Sequence, residues 1–166
     1  MIIWLILIIS FILDSVFSTF ISLNSFLIPL FTLMALIIIS SYFKEKITKY
    51  LSICFLTGMA YDLIYTDTIL IHAFIFLLLG FLVTNLNRLL SNSHISSVFK
   101  AIFVVVAYRV IMYLFLLIAG ILAFDLFHLL ASIYNSLIIN IIYIFLLSII
   151  VDMTSHKHKT RKGIYT

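Results

Sequence analysis

Asp14, Asp62, Arg109, Asn135 and Asn140 each interrupt a run of apolar residues long enough to lie in lipid. An ionisable side chain inside such a run is expensive to bury, so it turns toward other helices and marks a site by default. At about 1.5 Å of rise per helical residue, Asp14 lies roughly 20 Å from the start of its run and Asp62 roughly 18 Å from the start of its own. Arg109 lies roughly 13 Å beyond Lys100, and its long side chain reaches further. Asn135 and Asn140 lie roughly 18 to 25 Å before Asp152. These polar groups are predicted to share one layer, in which Arg109 pairs with Asp62 or Asp14 and the amides satisfy the remaining donors. Desolvation offsets most of the Coulomb gain of a buried pair. The layer therefore reads as a polar staple fixing helix order, as a recognition site for a partner helix or polar ligand, or as a point of proton or ion coupling.

Catalytic arrangements are not expected. An intramembrane protease needs paired aspartates, serine with histidine, or His-Glu-x-x-His on helices, and no flanking motif supports pairing of Asp14 with Asp62. His72 stands alone in its run, His128 sits at the outer end of the last one, and His94 falls in a connection. The spacing His156-x-His158 could suit a metal, but it lies in a basic tail and reads as solvated. The single glutamate, Glu45, lies among Lys44, Lys46 and Lys49, and the four glycines form no phosphate loop. Cys54 is the one cysteine, which excludes an intrachain disulfide and a cysteine metal site. Neither a cofactor nor a metal is expected, and an enzyme is not.

The elements that hold these residues follow from composition. Of 166 residues, 65% are apolar and 10% charged, with a mean hydropathy of +1.33. A soluble domain is roughly half apolar and a quarter charged, and a chain this small cannot hide the excess in one core. The solvent is lipid. The apolar runs are continuous rather than alternating, which selects helices over barrel strands. Spans are predicted at about 1–21, 26–43, 49–65, 69–86, 98–124 and 127–151, as one membrane domain over 1–153 with a basic cytoplasmic tail over 154–166. With no Lys or Arg near Met1 and no small-x-small cleavage site, the first run reads as a membrane helix rather than a signal peptide. No internal repeat is visible.

Charge orients the spans. Lys44, Lys46 and Lys49 follow the second, Arg88 and Lys100 follow the fourth, and Lys157, Lys159, Arg161 and Lys162 follow the sixth. Ser22-Leu23-Asn24, Thr66-Asp67-Thr68 and the turn at Asp125 carry no Lys or Arg. Basic loops stay cytoplasmic, so an all-α bundle of six transmembrane helices with both termini cytoplasmic fits every connection. The net charge of +4 reports this topology rather than a nucleic-acid partner. Pro29 is placed about one turn into the second helix, where a missing N–H costs little. Gly58 and Gly80 are expected at helix contacts, and Gly80-x-x-x-Thr84 and Ala119-x-x-x-Ala123 are small-residue pairs that permit close approach.

Gly58-Met59-Ala60-Tyr61-Asp62-Leu63, with Ile69-Leu70-Ile71-His72-Ala73-Phe74 after it and Phe26-Leu27-Ile28-Pro29-Leu30-Phe31-Thr32-Leu33-Met34 before it, resembles the rod shape-determining protein MreD family. Its third span carries a glycine, then an aspartate followed by an apolar residue, ahead of a loop and a Leu-rich span. The resemblance implies a multi-pass protein of the bacterial cytoplasmic membrane and a non-enzymatic scaffold of the cell-wall elongation complex, needed for cell shape. The partners it implies are an MreC-like single-span membrane protein, the peptidoglycan synthases of that complex and an MreB-like cytoskeleton. It also implies a fold like that of the substrate-binding subunits of energy-coupling-factor transporters. A small-molecule (vitamin) binding subunit of a transporter is accordingly the alternative.

Overall fold

A computed structural model describes residues 2–21, 29–65, 70–90 and 93–162. The second predicted span's start at Phe26 and the connections Ser22–Asn24 and Thr66–Thr68 lie outside the described residues, as do the tail side chains from Ser155 on, His156 and His158 included. The described chain is all helical: α1 (Ile2–Ile21), α2 (Phe31–Ser40) with a 3-10 turn (Ser41–Phe43), α3 (Ile47–Tyr65), α4 (Ile71–Leu89), α5 (His94–Ile118) and α6 (Leu126–Lys162). Ile71–Leu89, His94–Ile118 and Leu126–Thr154 are long and apolar enough to cross a membrane, and Ile3–Phe17 and Phe31–Phe43 are shorter apolar helices.

The bundle is arranged around α2. Every residue of this helix is buried, and it packs against α1, α4, α5 and α6. Its ten residues span only about 15 Å, half the roughly 30 Å of a hydrocarbon core. Being enclosed on all sides explains its uniformly apolar sequence, since a helix surrounded by protein shows no amphipathic stripe. The outer helices pair as the hairpins α3–α4 and α5–α6 and leave apolar side chains such as Leu63, Phe81, Ile118 and Phe127 exposed, as helices bathed in lipid do.

Several boundaries differ from the sequence expectation. Pro29 lies ahead of α2 rather than one turn inside it, because the chain is still non-helical at Pro29 and Leu30. His94 opens α5 instead of lying in a connection: Ser93 caps this helix, its Oγ accepting the Ser96 N–H at 3.1 Å. Ala119 and Ala123 fall beyond the end of α5, so they form no helical small-residue pair. That segment turns at Gly120 (φ +71°), and Tyr113 Oη holds its end by accepting from Asp125 N (2.6 Å) and donating to Asp125 O (2.9 Å). Helix α6 carries on through the basic segment to Lys162.

Both glycines marked for packing lie at the α3–α4 contact. A Cβ on Gly58 would stand 2.5 Å from His72 O and 2.6 Å from Ala73 Cα, and one on Gly80 would stand 2.7 Å from Cys54 Sγ. The obstacle at Gly58 is backbone and cannot move aside; at Gly80 it is one side chain. Gly58→Ala is therefore expected to destabilise by at least the ~1–3 kcal/mol typical of overpacking. Gly80→Ala should cost less and be partly rescued by Cys54→Ala. Melting temperatures in detergent of the two single variants and the Gly80/Cys54 double variant check this, and failure of rescue would refute the assignment of the Gly80 contact.

Candidate functional site

A helix leaves its first N–H groups without intrahelical partners, and in lipid no water is present to take them. Helix α2 begins within the bundle. Asn140 Oδ1 accepts from Leu30 N at 2.8 Å, Asp14 Oδ1 from Phe31 N at 2.7 Å and Asp14 Oδ2 from Thr32 N at 2.8 Å. The first intrahelical bond at this end, Met34 N to Leu30 O, then follows at 3.1 Å. Pro29, having no N–H, adds no donor that would need a partner.

The start of α4 is held by the same device. Asp62, one turn beyond Gly58 on α3, accepts from His72 N (3.1 Å, Oδ1) and Ala73 N (3.0 Å, Oδ2). The close backbone approach at Gly58 brings the carboxylate within reach. Leu70, at φ +65°, turns the chain into the helix in a conformation that a leucine adopts at some cost. Asp62 Oδ1 also meets His72 Nδ1 at 2.8 Å with both side chains buried. The ring of His72 lies 5.0 Å from that of Tyr61 and 6.3 Å from that of Tyr108.

Arg109 pairs with neither aspartate, contrary to the expectation from depth alone. Among the described residues it forms no ion pair: Nε and Nη2 donate to Ser136 Oγ at 3.2 and 2.9 Å, and the guanidinium lies 5.6 Å from the Tyr108 ring centroid. Asn140 Nδ2 donates to Ser136 O at 2.7 Å. A chain of bonds thus runs from Arg109 on α5 through Ser136 and Asn140 on α6 to Leu30, and from the next two residues of α2 to Asp14 on α1. Asp62 belongs to a second unit with His72. Asn135 is half-buried, and the described chain of bonds passes through Ser136 and Asn140 instead.

His72 is therefore not solitary, and Ser136 is a member that the sequence reading passed over. Signals for both existed. Asp62 and His72 lie at similar distances from the intervening loop, as hairpin neighbours must, and Ser136 precedes Asn140 by one helical turn. Two further bonds tie the same end together: Ser10 Oγ with Tyr143 Oη at 2.7 Å, and Tyr65 Oη donating to Phe11 O at 2.6 Å. The arrangement fixes helix starts and crossings. It contains acceptors matched to backbone donors rather than a nucleophile beside a base.

A family model described as rod shape-determining protein MreD matches residues 1–156. The chain belongs to the MreD family. No curated protein and no solved structure matches it. Membership of the MreD family makes this a cell shape-determining membrane protein, and the matched residues take in the polar chain from Asp14 to Asn140 as well as the Asp62–His72 pair.

Removing a cap oxygen from this MreD-family bundle leaves buried N–H groups unpaired, at ~1–3 kcal/mol each. Asp14→Ala and Asp62→Ala are each expected to destabilise by about 2–6 kcal/mol on that basis. The Asn variants, which retain one acceptor oxygen, should lose about half as much. Thermal unfolding in detergent measures the series, and Ala variants as stable as the wild type would overturn the capping role.

Proposed function

We propose that this protein is a non-enzymatic scaffold of the bacterial cell-wall elongation complex, crossing the cytoplasmic membrane six times with both termini inside. Its partner is an MreC-like single-span protein, through which it meets peptidoglycan synthases, with an MreB-like cytoskeleton on the cytoplasmic side. MreD-family membership supports the shape-determining role. The confinement of Lys and Arg to alternate connections supports the topology. A fold like that of energy-coupling-factor substrate-binding subunits remains part of this reading.

The observation that carries partner binding is a groove between α1 and α3. Leu7, Ile8, Phe11 and Ile12 face Leu56, Thr57 and Ala60 across a space of about 280 Å³. Its walls are almost wholly apolar, and Ile8 and Leu56 are 59% and 61% exposed. Phe11 and Tyr65, with rings 4.9 Å apart, bridge the two helices beside it. Helices in lipid associate through close packing rather than hydrophobic drive, and small residues permit the approach. Thr57 and Ala60 supply them here. The single apolar helix of a one-span protein fits such a groove. The polar chain and the Asp62 cap act indirectly, holding α1 and α3 at the separation that forms it.

Ala60→Trp would fill the groove, whereas Leu78→Trp lies on the exposed face of α4 and serves as a control. Affinity purification in mild detergent should recover the single-span partner with wild type and Leu78→Trp but at least about tenfold less with Ala60→Trp, the loss expected from ~1.4 kcal/mol. Melting temperatures should be unchanged. Undiminished capture by Ala60→Trp would sink the groove as the docking place. Recovery of a vitamin with a coupling ATPase, in place of a wall protein, would overturn the scaffold reading itself.

A further inference from the structure

Three cations at the basic end of the bundle have no ion-pair partner among the described residues. Lys44 follows the 3-10 turn, Arg88 lies in the last turn of α4, and Lys100 lies in the second turn of α5. The ion pairs among the described residues are His72–Asp62 and His94–Asp152, so none of the three is paired. Lys100 is only 2% exposed. One turn earlier on α5, Ser96 Oγ is buried without a hydrogen-bond partner. A cation on so enclosed a residue is stabilised by a counter-charge or hydrogen bonds, and no ion pair among the described residues supplies it.

Beside them, Lys44 and Arg88 line a crevice of about 100 Å³ between the end of α2 and the end of α4. Ser40, Thr84 and Asn87 give it polar walls, and Phe43 and Ile47 an apolar one. Asn87 Nδ2 donates to Ser40 Oγ at 2.8 Å, and Ser40 Oγ donates on to Ile37 O at 2.6 Å. Asn87 Oδ1 is left buried with no partner. No acidic residue is among those lining the crevice, and the acid nearest in sequence, Glu45, is exposed. The site therefore offers positive charge, one unused acceptor and an apolar wall.

We propose that this crevice binds the headgroup of an anionic phospholipid of the phosphatidylglycerol type. The phosphodiester lies between Lys44 and Arg88. A headgroup hydroxyl donates to Asn87 Oδ1, and Phe43 and Ile47 receive the glycerol backbone and first methylenes. A choline headgroup has no donor for Asn87, and either choline or ethanolamine would bring a further cation among three. Free phosphate would make no use of the apolar wall. The crevice also sits where the apolar run of α2 gives way to lysines, which is headgroup depth, and basic pockets between helices at that depth hold anionic lipid. The proposal stands independently of the partner that fills the α1–α3 groove.

Purified full-length protein in nanodiscs of equal phosphatidylglycerol and phosphatidylcholine, released into native mass spectrometry, reads the retained lipid. Wild type is expected to favour phosphatidylglycerol about tenfold or more, from two cations at the surface. Lys44→Gln with Arg88→Gln should bring the ratio near one, and Asn87→Leu should lower it severalfold. Lys46→Gln with Lys49→Gln, outside the crevice, should leave it in place. No preference in wild type, an equal loss in the Lys46/Lys49 variant, or displacement of the lipid by millimolar inorganic phosphate would each overturn the proposal.

Discussion

A helix that begins away from water needs acceptors for its first N–H groups, and lipid offers none. This obligation organises the bundle. Helix α2 is short and enclosed, so its start falls among other helices, and Asp14 and Asn140 come from α1 and α6 to meet it. Helix α4 starts against α3, and Asp62 meets it across the Gly58 contact. In each case an aspartate on the preceding helix caps the next, Asp14 on α1 for α2 and Asp62 on α3 for α4. The architecture thus repeats a device that the sequence does not repeat.

These carboxylates explain why charged residues can lie deep in so apolar a chain. Two N–H groups on each carboxylate replace the hydration that burial removes, as hydrogen bonds to a charged form do. Arg109 is handled differently, by the hydroxyl of Ser136 and the face of Tyr108. Separating Arg109 from the aspartates keeps the carboxylate oxygens available for backbone donors.

The two ends of the bundle consequently do different work. At one, carboxylate and amide oxygens take the backbone N–H groups that begin α2 and α4, and α1 and α3 frame an apolar groove. At the other, Lys44, Arg88 and Lys100 carry charge that the described protein does not neutralise. The bundle of this shape-determining membrane protein thus has an apolar groove between α1 and α3 and a basic crevice between the ends of α2 and α4.

Composition and the length of the apolar runs determined that this is a helical protein of the membrane, because hydropathy and span length act locally and need no knowledge of neighbours. Depth along each helix also marked Asp14, Asp62, Arg109 and Asn140 as residues of consequence, since rise per residue is fixed. Tertiary structure decided their partners. Depth locates a residue on an axis but not around it, so Arg109 and Asp62 at similar depth need not meet. Pro29 and Phe31 show the same limit: hydropathy could not tell an enclosed short helix with a non-helical entry from a continuous span, because both are equally apolar. Which N–H groups lack a partner depends on where the helix starts, and that is set by the helices packed around it.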